Sequence, residues 1–183
     1  MNVTFITGNQ DKADYLARYL GFPVDHKSVE IDEPQTLDLR EVVEYKAREA
    51  FEHIKRPVIV EDQSLVFEAL GRLPGTFIKF FVNELELEKM CRILDNLESR
   101  GAIAKSGMAY YDGKELVYFE GGLAGEIAAH PRGEGGFGWD AIFIPEGYDI
   151  TRAEMNEADD GKTYSMIKPL EQVRLFLTKL DKK

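Results

Sequence analysis

The stretch Val3-Thr4-Phe5-Ile6-Thr7-Gly8-Asn9-Gln10-Asp11-Lys12 decides the fold class. Residues 3–6 form a short β-rich run, Thr7-Gly8-Asn9 is a turn, and over residues 12–20 Tyr15, Leu16, Tyr19 and Leu20 share one helical face. A strand, a glycine turn and a helix in that order open an α/β fold. Residues 39–54 then read as a second amphipathic helix. The apolar run 57–60 reads as a strand that stops at Glu61-Asp62. A third helix is predicted over 85–97, and strands 109–112 and 114–119 flank the hairpin dipeptide Asp112-Gly113. Strands dominate from there to Ile144. The last helix begins at Pro169, whose missing N–H does no harm in a first turn, and carries Leu170, Val173, Leu177 and Leu180 on one side. The expected fold is one α/β domain over residues 1–183, with two helix-covered sheet regions and a cleft between lobes.

Composition bounds the function. With 183 residues and 44% hydrophobic content the chain is long enough for a well-packed core. A net charge of −10 and a pI near 4.9 exclude a general nucleic-acid surface, because phosphate backbones require a basic footprint. The single cysteine, Cys91, excludes an internal disulfide and a cysteine zinc cluster; it fits a reducing compartment and a place in the core. No apolar run approaches a membrane span, and the first residues start a strand rather than a basic and apolar leader, so a cytoplasmic location is expected. His26, His53 and His130 lack metal-ligand spacing and receive no role.

Six segments carry chemistry. Where the first strand gives way to a helix, unpaired backbone N–H groups and the positive end of the helix dipole make a phosphate seat. Gly8 permits close approach, Thr7 and Asn9 donate hydrogen bonds, and Lys12 adds a compact cation. An Asn-capped helix with a surface lysine is the alternative. Glu61-Asp62 stand at the end of an apolar strand, where ligands of open α/β sheets collect, and one acid there can hold Mg²⁺ or orient a water. Successive strand residues point to opposite faces, so one of the two is expected to face the site. Glu33 is a possible second metal ligand from a loop.

On helix 39–54, Lys46 falls inside the apolar stripe, four residues from both Val42 and Ala50. Such a lysine either meets an anion or snorkels to solvent. Lys79, within the aromatic run Phe77-Ile78-Lys79-Phe80-Phe81, poses the same choice. Finally, Gly136-Phe137-Gly138-Trp139-Asp140 sets two aromatics and a carboxylate among glycines, a pattern that suits a flat heterocycle or a packed turn.

The combination resembles the inosine triphosphate pyrophosphatase family, which hydrolyses non-standard purine nucleoside triphosphates. The matching pieces are Thr7-Gly8-Asn9-x-x-Lys12, Val60-Glu61-Asp62, Ala69-Leu70-Gly71-x-Leu73-Pro74-Gly75 with Ile78-Lys79, Phe137-Gly138-Trp139-Asp140, and Ala153-Glu154-Met155. They run through most of the chain in the family's order. The resemblance implies an elongated mixed α/β sheet with two lobes around a central nucleotide cleft, a homodimer, a Mg²⁺ requirement, and cleavage between the α and β phosphates. It makes Asp62 the proton acceptor and a metal ligand, Glu33 a further ligand, and Lys12, Lys46 and Lys79 phosphate contacts. Thr7, Gly8 and Asn9 join the substrate site, Phe137 stacks on the purine, and Gly138, Trp139 and Asp140 complete the nucleotide contacts.

Two departures stand out. Where relatives carry a Ser-His-Arg triplet before the final helix, this chain reads Lys162-Thr163-Tyr164-Ser165-Met166-Ile167-Lys168. Neither the histidine nor the arginine is present; Lys162 and Ser165 are the offset counterparts assigned to substrate. Gln63 replaces a small hydroxyl residue after Asp62 and is also assigned to the substrate site. The changes touch base selectivity more than hydrolysis. They leave open a shifted base preference within the same fold, or a nucleotide-binding module without catalysis.

Overall fold

The structure, a computed structural model, describes residues 3–8, 10–21 and 24–180, with Asp11 described through its backbone alone. Asn9 of the predicted phosphate turn lies outside the described residues. The fold is mixed α/β. Strand β1 (Thr4–Ile6) pairs in parallel with β2 (Asp25–Lys27) on one side and β3 (Val58–Phe67) on the other, Thr4 lying opposite both Asp25 and Val58. The sheet continues through β5 (Gly101–Tyr111) and β6 (Leu116–Ile127) to β7 (Phe143–Pro145), while the short β4 (Pro74–Gly75) pairs antiparallel with β3. Among the described residues five α-helices accompany it: α1 (Gln10–Leu20), α2 (Leu39–Ile54), α3 (Ile78–Arg92), α4 (Glu157–Ile167) and α5 (Leu170–Leu180).

The chain forms two compact units. The first draws on residues up to 62, 106–120 and those from 169 onward; the second on residues 63–105 and 121–168. In the first, the predicted stripe of α2 is buried: Leu39, Val43, Ala47 and Ala50 pack with Val58, Val60 and Ala109. Phe176 of α5 meets Tyr110 and Phe119 at 5.0 and 5.4 Å between ring centres. In the second, Leu65, Phe67, Met90, Cys91, Ile127 and Phe143 are the heart of the core. Burial there pushes the Cys91 thiol up to about 11, so it is an inert core group, as its solitary place in the sequence predicts.

Four elements differ from the sequence expectation. Strand β3 does not stop at Glu61-Asp62 but runs through both acids to Phe67. The alternation resumes beyond them, with Leu65 and Phe67 fully buried, and a charged pair inside a strand is tolerated because its side chains find polar partners. Helix α3 starts at Ile78, seven residues before the predicted start, and is interrupted at Glu86 (φ 62°, ψ 160°). That break scrambles the 3.6-residue period on which the sequence reading relies.

The hairpin around Asp112-Gly113 is correct in place and short in extent. Its turn is closed by the Asp112 carboxylate, which accepts the Lys114 and Glu115 N–H groups at 2.9 and 2.8 Å. Helix α4 is not among the elements expected from the sequence, which assigns none between Ile144 and Pro169. Asn156 caps it, accepting from Ala158 and Asp159 N–H, and Glu157, Asp159 and Asp160 suit its positive end. With only Thr163 and Ile167 buried along it, the helix has almost no apolar stripe to read.

Candidate functional site

Two clusters account for the chemistry, one in each unit. In the first, α2 is launched by Asp38, whose carboxylate accepts the Arg40 and Glu41 N–H groups. Leu39, Val42, Val43, Ala47 and Ala50 form the buried face of the helix, and Lys46 stands beside it, its side chain 17% exposed. Its ammonium donates to Asp62 Oδ2 at 2.7 Å, to Glu33 Oε1 at 2.8 Å and to the Glu61 carbonyl at 3.4 Å. Burial alone would push the ammonium down; Asp62 and Glu33 outweigh it and hold its pKa above the ordinary lysine value. Of the two outcomes open to a lysine in an apolar stripe, the protein supplies the anions itself.

Strand parity separates the paired acids. Asp62 turns to Lys46, while Glu61 accepts the Ser106 hydroxyl of β5 at 3.2 Å. Glu33 is half exposed and Asp62 largely covered, so the pair opens to solvent on the Glu33 side. Two carboxylates within hydrogen-bond distance of one cationic nitrogen already converge on a positive charge. That donor set fits Mg²⁺ in its common mode, one or two carboxylates with the other positions left to water and substrate phosphate. Among the described residues no group of three or more His, Cys, Asp or Glu converges, so no closed all-protein cage competes with this reading. In the same unit the Thr7 N–H is spent on the Lys27 carbonyl at 2.9 Å, Gly8 is exposed just before α1, and Lys12 lies half-buried in the first turn of α1.

In the second unit, residues 136–140 are a tight turn with Gly136 and Gly138 at φ 73° and 64°. The structure divides the two aromatics that the sequence reading grouped. Phe137 is 79% exposed, whereas Trp139 is 6% exposed and stands edge-on to Phe143 at 5.6 Å in the core. Of the pair, Phe137 has the open ring. Asp140 is buried: Oδ2 accepts the Phe137 N–H at 2.8 Å and Oδ1 accepts Arg152 Nη1 at 2.7 Å. Burial pushes its carboxyl above the ordinary range, against the opposing pull of Arg152 and the Phe137 N–H.

Arg152 and Lys168 were not singled out in the sequence. Arg152 is buried, donates further to Asp160 at 2.6 Å and Thr163 at 3.3 Å, and lies 5.8 Å from the Tyr164 ring centre. Lys168 is also buried, its Nζ 4.7 Å from the same ring. The legible signal for Arg152 was the capping box Thr151-x-x-Glu154, in which Glu154 accepts the Thr151 N–H and fixes the turn that bears the arginine. Gln63 is half-buried on β3, and Lys79 is exposed in the first turn of α3. Lys162 and Ser165 are exposed on α4, with the Ser165 hydroxyl donating to the Gly161 carbonyl at 2.8 Å. The segment from Tyr164 to Lys168, which stands where relatives carry the Ser-His-Arg triplet, is therefore the last turn of a helix and its cap.

A mixed seven-stranded α/β protein with a lysine-bridged carboxylate pair and a glycine-flanked aromatic turn defines the class. The chain belongs to the Ham1 family, whose profile matches residues 3–172. It is 36% identical to an inosine triphosphate pyrophosphatase of Yarrowia lipolytica, over 97% of this chain and 96% of that one. It is 39% identical to a dITP/XTP pyrophosphatase of Methanopyrus kandleri, over 94% of each. Among solved structures, a nucleoside-triphosphatase (dITP/XTP pyrophosphatase) from Mycobacterium abscessus superposes with a TM-score of 0.78 at 27% identity, covering 94% of this chain and 98% of that one. A HAM1 protein from Coxiella burnetii gives 0.86 at 23% identity, covering 98% and 99%, and speaks for the fold alone. The resemblance read from the motifs and the α/β class both stand.

Proposed function

We propose that the chain is a Mg²⁺-dependent nucleoside triphosphate pyrophosphatase that converts non-standard purine nucleotides, ITP, dITP and XTP, to the monophosphate and pyrophosphate. The observation that carries the reading is the convergence of Asp62 and Glu33 on one cation. The pyrophosphatase names of the relatives support it. Bound between Asp62 and Glu33, Mg²⁺ would neutralise phosphate charge and act as a Lewis acid toward the anhydride.

The chain's own residues do the rest. Asp62, anchored mid-strand, orients a water and accepts its proton as the water adds to phosphorus; pyrophosphate leaves with the bridging oxygen. Lys46, displaced from the acids when a phosphate arrives, offers its charge to that phosphate, and Lys12 and Lys79 are the further phosphate contacts carried over by motif. Phe137 presents its exposed ring to the base. Thr7, Gly8, Asn9, Gln63, Gly138, Trp139, Asp140, Lys162 and Ser165 keep the substrate roles that the resemblance implies. The homodimer and the cytoplasmic location belong to the same proposal and rest on the resemblance and the sequence. No helix of the described residues is long and apolar enough to cross a membrane.

The test is pyrophosphate release with Mg²⁺ from ITP, dITP and XTP against ATP, GTP and the pyrimidine triphosphates, with Asp62→Asn as the blank. The expected result is preference for the first three and a loss of about 10³-fold in Asp62→Asn. Activity on another base would replace the substrate assignment, a result the missing Ser-His-Arg triplet makes worth the wider panel. Binding without release would reduce the protein to a nucleotide-binding module.

A further inference from the structure

Among the described residues Phe137 is the most exposed large apolar side chain, and with 79% of it open, surrounding side chains do little to aim it. The aim comes from its backbone. That backbone is held by Asp140, which accepts the Phe137 N–H at 2.8 Å while the Asp140 N–H donates to the Phe137 carbonyl at 3.3 Å. Gly136 lets the turn close on the carboxylate, since a Cβ there would stand 2.6 Å from Asp140 Oδ2. Asp140 in turn is gripped by Arg152 at 2.7 Å, and Arg152 is anchored on its far side by Asp160 and Thr163 of α4. The neighbouring backbone repeats the grip: Gly135 N–H donates to the Ala153 carbonyl and Ala153 N–H to the Asp140 carbonyl, at 3.0 and 3.2 Å.

From this chain of bonds we infer that Arg152 is a positioning residue that sets the Phe137 ring as a base platform, acting through the Asp140 carboxylate. The inference rests on the nucleotide reading above and assigns a residue that the family motif does not. The Arg152 side chain is 6% exposed, and Nε, Nη1 and Nη2 each have a protein partner, so its contacts point into the protein rather than to solvent. Arginine suits the task because its planar fork meets two carboxylates at fixed angles, where lysine offers a point charge on a flexible stem.

The experiment compares Phe137→Ala, Arg152→Ala, Arg152→Lys and the double variant Arg152→Ala with Phe137→Ala, measuring kcat and KM for ITP with Mg²⁺. Hydrogen exchange of the Phe137 amide is followed without nucleotide. Removing a base-stacking ring raises KM about tenfold. Arg152→Ala should raise it by a similar factor with kcat kept, and the double variant should be no worse than Phe137→Ala alone, because both changes remove one platform. Arg152→Lys should raise KM and speed Phe137 amide exchange; it also carries the test if Arg152→Ala does not fold. Multiplying effects in the double variant, a fall confined to kcat, or wild-type KM and exchange in Arg152→Lys would each overturn the assignment. Should the wild type neither bind nor hydrolyse any of the nucleoside triphosphates of the panel while Arg152→Lys still speeds Phe137 exchange, the nucleotide reading falls and the brace stands.

Discussion

Each unit holds one cation between two carboxylates, and the two arrangements behave as opposites. Lys46 between Asp62 and Glu33 is a point charge on a flexible stem, with Glu33 half in water. Arg152 between Asp140 and Asp160 is a rigid fork, 6% exposed, with its third nitrogen on Thr163. An ammonium can leave its carboxylates for an incoming phosphate and be replaced by a metal at small cost. A guanidinium bound through three nitrogens cannot leave without stranding the buried charge of Asp140, although its other carboxylate, Asp160, is partly exposed. On the proposed reading the same charge pattern serves as an exchangeable site in one place and a permanent brace in the other, and side-chain geometry and burial decide which.

The largest expected effect separates them outright. Asp62→Asn should lower pyrophosphate release about 10³-fold while leaving thermal stability near wild type; a variant that unfolds instead would make Asp62 a structural acid. Next, Arg152→Met should cost about 3 kcal/mol, read as a denaturant midpoint shift, because it leaves Asp140 buried and unpaired. A loss under about 1 kcal/mol would erase the distinction between the clusters.

Lys46→Met should cost less, about 1–2 kcal/mol, and millimolar Mg²⁺ should recover most of that in a melting experiment, since the two acids it leaves facing each other are then bridged again. Mg²⁺ should not rescue Arg152→Met. Recovery of both, or of neither, would break the comparison. The smallest effect belongs to a carboxylate that uses neither kind of cation. Asp112 is held below the usual carboxylate range chiefly by the Glu115 N–H, with burial opposing and the Lys114 N–H adding to the pull. Its folded value being depressed, its stabilisation is complete above the unfolded value near 3.9 and fades as acid carries the pH through the lower folded value. Asp112→Ala should therefore cost about 1 kcal/mol at neutral pH, with the gap to wild type closing in that acid window.

The helix α2 was legible to the residue because its stripe is regular and Asp38 announces its start, and Lys46 was legible because it violates that stripe. Residues 61–67 were misread since two charges look like the end of a strand, and only the three-dimensional partners of Glu61 and Asp62 reveal that the ladder continues. Trp139 and Phe137 looked alike in sequence, two aromatics beside glycines; which one turns inward depends on where Phe143 lies. Arg152 escaped notice because a lone arginine near a 3-10 turn looks like surface until Asp140, Asp160 and Thr163 are folded around it. Helix α4 gave no periodic signal, leaving capping at Asn156 as its sole local mark.

Because β3 carries Glu61 and Asp62 mid-strand rather than on a turn, their directions are governed by counting. A substitution at either position changes a charge. A residue inserted or deleted just ahead of them, with the start of the strand at Val58 held in register, changes which way each carboxylate faces: the acid aimed at Lys46 would point toward Ser106, and its neighbour the reverse. A surface loop can change length without turning these side chains over, whereas in this stretch a change of length reverses them and a change of letter does not.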